Sequence, residues 1–194
     1  MDYTTKKILA LDPAESCGWA WWDGRGHREC GIWNIAGGGG ATLASLRSHI
    51  RYFYEQMKFD VIAYESPALG YNDWSSMAHI EKVAVIKMAA HDHGAVLHPG
   101  FAPTSLKKLA TGNGKADKAM MMKACIDQFG VIPATSDEAD AMFVLHGVLT
   151  GHVPESKRKK IAKARAKRAE SQQGLLFGPL KGARRVIRNK GGAK

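Results

Sequence analysis

Short apolar runs alternate with amphipathic stretches between residues 6 and 151 of the chain. Apolar runs bounded by turn-forming residues are typical of buried strands, and apolar residues spaced three or four apart are typical of helices. Strands are predicted at 6–12, 18–22, 29–35, 60–65 and 95–100, and helices at 42–57, 80–94, 104–112, 115–130 and 136–151. The first three strands form a predicted antiparallel meander, and the later strands alternate with helices. The pattern predicts an α/β fold with a mixed five-stranded sheet flanked by helices.

Four acidic residues stand at the ends of these predicted elements. Asp12 ends the first strand in ILALDPAESCGWA, and Glu65 ends the fourth in DVIAYESP. Asp137 and Asp140 fall in the first turn of the last helix, three residues apart on one face, with Ser136 as the predicted N-cap. Sites in open α/β sheets gather at the carboxyl ends of strands. If the first and fourth strands are neighbours, their carboxylates emerge at one edge of the sheet.

Carboxylates beside apolar runs cost free energy unless something uses them. Four converging carboxylates make a hard, oxygen-rich site that suits Mg²⁺. Asp12, Asp137 and Asp140 also have ordinary alternative roles, whereas Glu65 is harder to explain without a ligand. Asp12 precedes a proline and suits a turn, and acids in a first helical turn complement the helix dipole. Glu138, between the two aspartates, is expected to point to solvent.

Positive charge is concentrated at the end of the chain. Residues 154–194 hold fourteen Lys or Arg and two acids, a net of +12, whereas the whole chain carries +10. The run KRKKIAKARAKR contains the predicted DNA contacts Lys157, Arg158, Lys159 and Lys160. Such a dense run of like charge favours a polyanionic partner, although a solvated charged helix is the alternative. We therefore predict a body at 1–153 and a basic, flexible tail at 154–194.

Three motifs occur in the order found in one nuclease family. They are ILALDPAESCGWA, in which an apolar strand ends in Asp-Pro; VIAYE, in which a strand ends in Glu; and DEADA, an Asp-x-x-Asp-Ala at a helix start. In these motifs the chain resembles Holliday-junction resolvases of the RuvC type, and specifically their phage-encoded members, within the RNase H-like and retroviral-integrase superfamily. The resemblance spans roughly residues 6–150. Ala14 replaces the usual glycine, and the step from Asp12 to Gly18 is one residue short, so the departure concerns the turn.

The resemblance implies an RNase H-like fold, a homodimer and symmetric nicking of four-way DNA junctions with two Mg²⁺ ions, Mn²⁺ being able to substitute. Two metals about 4 Å apart can activate a water and stabilise the leaving 3′-oxygen in phosphodiester hydrolysis. Asp12 is the expected bridging ligand, with Glu65 and Asp140 on opposite sides and Asp137 completing the set. These four residues are therefore the predicted catalytic and metal-binding residues.

A lysine-rich segment, 106–118, surrounds a turn at Gly112 and Gly114. Backbone N–H groups in such a turn can approach a phosphate, which lysines neutralise. From the residues alone, a solvated loop between helices is an equal alternative, and the resemblance favours DNA contact. The predicted contacts are Lys107, Lys108, Lys115 and Lys118.

The loop after Glu65, SPALGYNDW, offers large side chains for contact with a junction. In the resembled family, an apolar or aromatic residue shortly after this glutamate enters the junction centre. Leu69 and Tyr71 are the predicted DNA contacts, and Trp74 is better explained by core packing.

An apolar island, QQGLLFGPL, interrupts the basic tail. Gln173, Leu176 and Phe177 resemble the Gln-x-x-Leu-Phe type of peptide that docks on bacterial sliding clamps. Short motifs of this kind also arise by chance, and packing of the island back on the body is the alternative.

These features predict a structure-selective DNA endonuclease. The alternatives are another RNase H-like nuclease, acting on RNA–DNA hybrids or precursor ribosomal RNA, and a non-catalytic DNA-binding module.

The sequence contains no apolar run of about 18 residues, so no membrane span is expected. Three cysteines without a close pair are expected to be free thiols. The expected location is the cytoplasm of a bacterial or phage-infected cell.

Overall fold

The computed structural model describes residues 2–35, 37–67 and 74–152. Strands and helices alternate after an initial meander, in the order predicted from the hydrophobic pattern. The strands are β1 (Ile8–Pro13), β2 (Ser16–Trp22), β3 (Arg28–Asn34), β4 (Val61–Tyr64) and β5 (Val96–Leu97). The helices are α1 (Gly39–Met57), α2 (Trp74–Asp92), α3 (Pro103–Thr111), α4 (Lys118–Phe129) and α5 (Ser136–Leu149).

The strands form one mixed sheet in the order β3-β2-β1-β4-β5. β1 pairs antiparallel with β2, and β2 with β3, so the first three strands form the predicted meander. β1 pairs parallel with β4, and β4 pairs parallel with β5. The prediction of a mixed five-stranded sheet flanked by helices is confirmed. The pairing of β1 with β4 also makes the first and fourth strands neighbours, which is the condition for their carboxyl ends to meet.

Alternate residues of the central strands enter two separate cores. Ile8 and Ala10 pack with α3, α4 and α5, whereas Leu9 and Leu11 pack with α1 and α2. This division follows from the two-residue period of a strand, in which successive side chains point to opposite faces. The core on the α1 side is rich in aromatic rings. Its rings include Trp19, Trp21, Trp33 and Phe53.

Several element boundaries differ from the predictions. β5 pairs over two residues, although a strand over 95–100 was predicted. α2 begins at Trp74 instead of 80. The N-cap of α5 is Thr135, whose hydroxyl accepts a hydrogen bond from the Glu138 N–H at 3.3 Å, so the prediction of Ser136 was wrong by one residue.

The described residues lie in one compact unit, Met1–Pro154. The predicted tail at 154–194 lies outside the described residues, so its boundary and flexibility stay predictions. Cys17, Cys30 and Cys125 are free thiols, as the cysteine spacing predicted. Among the described residues, no helix combines the length and apolar character needed to cross a bilayer.

Candidate metal centre

Pairing of β1 with β4 brings Asp12 and Glu65 side by side. Leu11 is the register partner of Tyr64, and the same register continued by one residue matches Asp12 with Glu65. The Glu65 N–H donates to the Leu11 carbonyl at 2.9 Å, so this pairing extends past the end of the strand. Strand alternation places both side chains on the face that packs against α5. Register and period together therefore aim two carboxylates at one helix.

A glycine in β2 lets that helix approach the site. Gly18 is the register partner of Asp12. A Cβ built on Gly18 would lie 2.0 Å from the Asp137 carbonyl oxygen and 2.8 Å from the Glu138 nitrogen, both backbone atoms of the first turn of α5. No side chain fits in that space, since backbone cannot move away as a flexible side chain can. Gly18 thus allows the first turn of α5 to lie directly on the sheet beside Asp12.

Three carboxylates converge at this edge of the sheet. Asp12, Glu65 and Asp140 each offer an oxygen, and these oxygens lie within 4.8 Å of one another. Asp12 is buried, and the other two are half-buried. Asp137 does not belong to this group. Its side chain accepts a hydrogen bond from the Ser136 hydroxyl at 3.2 Å.

The pKa values of the three carboxyls are all raised. Burial is the main cause at each position, because desolvation disfavours the charged form. The pKa of Asp12 is raised well above its usual range, that of Glu65 rises to about 8, and that of Asp140 to about 6. The charge of Asp137 raises all three pKa values further. Asp137 therefore acts on the cluster electrostatically, although its oxygens lie outside it.

Comparison with known proteins finds relatives that are similar in sequence. No protein-family model matches the chain. The crossover junction endodeoxyribonuclease RuvC of Gloeobacter violaceus is 29% identical over 126 residues, covering 62% of this chain and 70% of that protein. The RuvC of Corynebacterium diphtheriae is 29% identical over 102 residues, covering 52% of this chain and 62% of that protein.

Solved structures share the fold. Thermus thermophilus RuvC superposes with a TM-score of 0.55 at 16% identity, covering 71% of this chain and 90% of that one. The same protein in complex with a Holliday junction substrate gives 0.57 at 15% identity, covering 72% and 90%. The yeast mitochondrial Holliday junction resolvase Ydc2 gives 0.51 at 12% identity, covering 77% and 80%.

The chain is similar in sequence to RuvC proteins and shares the RuvC fold.

Two of the four lysines predicted as DNA contacts in segment 106–118 act electrostatically on the carboxylate cluster. The charge of Lys107, on α3, lowers the pKa of Glu65 and of Asp140, in opposition to burial. Lys118, at the start of α4, lowers the pKa of Asp140 in the same way. Lys108 and Lys115 are exposed on the same segment. The segment from α3 to the start of α4 thus places positive charge beside the carboxylate cluster.

Two residues of α2 contact the backbone of the site and were missed by the sequence analysis. The His79 ring lies 3.1 Å from the Glu65 carbonyl, and the Lys82 ammonium lies 2.5 Å from the Ala14 carbonyl. His79 precedes the predicted start of the helix. Lys82 does carry a sequence signal: it lies four residues before Ile86, which is buried, and so places a charge on an apolar helix face.

The prediction that Glu138 points to solvent was wrong. Its side chain is buried, not solvent-exposed, and its carboxylate accepts a hydrogen bond from the Ala134 N–H at 2.7 Å. The Glu138 N–H in turn donates to the Thr135 hydroxyl, so the residue closes a cap at the start of α5. This bonding explains why the side chain of Glu138, between Asp137 and Asp140, turns away from the carboxylate cluster.

Other predicted contacts lie outside the described residues. They are Leu69, Tyr71, Lys157, Arg158, Lys159, Lys160, Gln173, Leu176 and Phe177.

The donor set fits a hard divalent cation. Three carboxylate oxygens within 4.8 Å match the oxygen ligands that Mg²⁺ and Mn²⁺ prefer. The raised pKa values show that the cluster is unfavourable when fully ionised and unneutralised. A bound cation would remove that cost.

Proposed function

We propose that this protein is a RuvC-type crossover junction endodeoxyribonuclease that hydrolyses phosphodiester bonds of four-way or other branched DNA with divalent metal. The convergence of Asp12, Glu65 and Asp140 within 4.8 Å, on the fold shared with RuvC, carries the proposal. The names of the curated relatives support the same activity.

The residues of the cluster would act mainly by position and charge. Two Mg²⁺ ions, with Mn²⁺ as a substitute, would supply water activation and stabilisation of the leaving 3′-oxygen. Asp12, at the centre of the strand pairing, suits a bridging ligand, and Glu65 and Asp140 suit terminal ligands. Asp137 would add negative charge that favours cation binding without entering the group of three.

Positive side chains around the cluster would hold the DNA backbone. Lys107 and Lys118 already influence the carboxylates, and a scissile phosphate between them and the metals would be neutralised from both sides. Lys108 and Lys115 extend the same surface. The structure of Thermus thermophilus RuvC with a Holliday junction substrate supports branched DNA as the ligand class.

A homodimer is the proposed assembly, and the exposed face of α2 is a suitable interface. This face is self-complementary around Ala84: exposed Ile80 and Met88 lie equally far on either side, and so do Glu81 and Lys87. Two copies of α2 crossing antiparallel at Ala84 would pair opposite charges twice and bury four apolar side chains.

A charge exchange tests this interface. Glu81→Lys should convert a dimer to a monomer in size-exclusion chromatography with light scattering, because like charges would then meet. Glu81→Lys/Lys87→Glu should restore the dimer. A monomeric wild type, or a single variant that stays dimeric, would refute the assignment.

The tail proposals rest on sequence. Residues 154–194 would add non-specific DNA affinity through their net +12, and residues 173–177 would bind a bacterial sliding clamp. Titration of a 170–180 peptide into purified clamp tests the second, with Leu176→Ala/Phe177→Ala as the control. Equal binding by the control peptide would dismiss it. A phage origin and a cytoplasmic location also stay predictions.

One substrate panel tests the activity. Four-way junction, flap, linear duplex and RNA–DNA hybrid would be incubated with the protein in Mg²⁺ and in EDTA. We expect paired nicks in the four-way junction, in Mg²⁺ only. Preferential cutting of the hybrid would redirect the assignment to another RNase H-like nuclease, and binding without cutting of any substrate would indicate a DNA-binding module.

A further inference from the structure

The inner face of α2 meets the backbone at both strand ends that carry the candidate ligands. His79 and Lys82 are three residues apart, so they lie on one side of the helix. One reaches the chain at Glu65, and the other reaches the turn that follows Asp12. The helix therefore contacts the backbone at the carboxyl ends of β1 and β4, next to Asp12 and at Glu65.

His79 holds the chain at Glu65 itself. Its Nε2 lies 3.1 Å from the Glu65 carbonyl oxygen. A carbonyl only accepts hydrogen bonds, so Nε2 is the protonated nitrogen of the ring. On the other side of the same residue, the Glu65 N–H is bonded to Leu11. The two hydrogen bonds fix the backbone of Glu65 at its N–H and at its carbonyl. They therefore restrict the direction in which its side chain leaves the backbone.

Lys82 holds the turn after Asp12. Its Nζ donates to the Ala14 carbonyl at 2.5 Å, and the residue is only 9% exposed. Pro13, between Asp12 and Ala14, has no N–H to donate, so the turn has one fewer backbone donor with which to close. Burying an ammonium costs free energy unless it gains a partner and an opposing charge. Lys82 has the Ala14 carbonyl as partner and acts on Asp12 by charge.

We propose that His79 and Lys82 are positioning residues that clamp the strand ends, so that Asp12 and Glu65 stay in ligand geometry against their mutual repulsion. The inference rests on the proposed metal-dependent function for its consequence. The clamp itself is a property of the metal-free chain. Partners that orient metal ligands typically influence metal affinity or activity about 10- to 100-fold.

The sign of the Lys82 effect separates a clamp from a simple charge. Removing a cation that acts by charge on Asp12 would by charge alone tighten Mn²⁺ binding. Releasing the turn after Asp12 would weaken it. Lys82→Met keeps most of the side-chain length and removes both the donor and the charge, so weaker binding identifies positioning as the dominant role.

The variants are His79→Leu, His79→Gln and Lys82→Met, with His91→Leu and Lys6→Met as controls. His91 is on α2 with an exposed side chain, and Lys6 is exposed before β1. Mn²⁺ affinity would be measured by calorimetry without DNA, and kcat and KM on a four-way junction. We expect His79→Leu and Lys82→Met to lose about tenfold in Mn²⁺ affinity and in kcat with KM unchanged. His79→Gln should recover most of the loss, since its amide can donate to the same carbonyl.

Hydrogen–deuterium exchange in EDTA tests the clamp without metal. His79→Leu should accelerate exchange in residues 64–67 only, and Lys82→Met in residues 13–17 only, while the controls change neither. Unchanged exchange in both segments, acceleration spread over the whole sheet, or tighter Mn²⁺ binding by Lys82→Met would overturn the proposal. If the wild type binds no Mn²⁺ and cuts no junction, the proposed function fails, and the exchange pattern still decides the clamp.

Discussion

The two faces of β1 follow the same alternating pattern and end in opposite ways. On the α1 side, Leu9 and Leu11 join a core of stacked and edge-on aromatic rings. On the α5 side, Ile8 and Ala10 lead to Asp12, which is buried beside two other carboxylates. The first face gains free energy from apolar burial. The second gives up some of it to hold like charges together.

This difference separates stability from chemistry within one strand. A shift of the pairing by one residue would move every side chain of β1 to the opposite face, because the side-chain period of a strand is two. The pairing of β1 with β2 and β4 therefore does more than build the sheet: it decides which face carries the acids. Substitutions on the α5 side should therefore impair cleavage, whereas substitutions on the α1 side should impair stability.

Asp12→Asn should have the largest effect on function. Removing this carboxylate should cost several kcal/mol of transition-state stabilisation, which corresponds to a loss of about a thousandfold or more in cleavage rate. Junction affinity should stay nearly intact, because phosphate contacts come mainly from basic residues. Gel shift and nicking assays on the same four-way junction check both. Retained nicking by the variant would exclude Asp12 from the catalytic site.

Phe53→Ala should have the opposite profile. Phe53 packs in the aromatic core against Trp19, Trp21 and Trp33 and is 8% exposed. Removing the ring should lower the free energy of unfolding by about 3 kcal/mol. Cleavage per folded molecule at low temperature should be unchanged. Chemical denaturation and nicking at 15–20 °C, roughly in the stable range of the variant, measure the two quantities. A large loss of specific activity would show that the faces are not independent.

Much of this contrast is visible in the sequence, and some of it is not. The strand-ending acids and the Asp-x-x-Asp-Ala helix start predict the cluster, because strand ends and side-chain period follow from local pattern. The pairing of β1 with β4 remained a condition of that prediction, and the structure meets it. The exclusion of Asp137 from the group of three depends on how closely α5 approaches Gly18, which is a contact between distant segments. The buried cap of Glu138 and the reach of His79 and Lys82 from α2 depend on packing in the same way.

The stability of the metal-free protein should fall as pH rises. The folded-state pKa values of Glu65 and Asp140, about 8 and about 6, lie above the ordinary carboxyl range. The folded protein therefore binds more protons than the unfolded chain, and their stabilising contribution is complete below about pH 4 and is lost as pH rises through 6 to 8. Melting temperatures in EDTA from pH 5 to 8 check this decline. Mg²⁺ should reverse it, and an EDTA profile that rises with pH would contradict it.

Lys107→Ala and Lys118→Ala should have the smallest effects. Each should weaken junction binding severalfold and reduce the slope of log K against log salt by about 0.9, since each removes one phosphate contact. Lys123→Ala is a matched control, because Lys123 is exposed on α4 and paired with Asp127. Salt-dependent gel shifts measure the slopes. Equal slopes for all three variants would place the DNA elsewhere.

Calorimetric titration of Mn²⁺ into the DNA-free protein at pH 8 tests the central claim most directly. If Asp12, Glu65 and Asp140 form a metal site, the wild type will bind Mn²⁺ with release of protons, because bound metal displaces protons from carboxyls whose pKa values are raised. Asp12→Asn, Glu65→Gln and Asp140→Asn should each weaken that binding at least about tenfold, a loss comparable to that of outer-shell partners or larger. Wild-type affinity in all three variants would contradict the account.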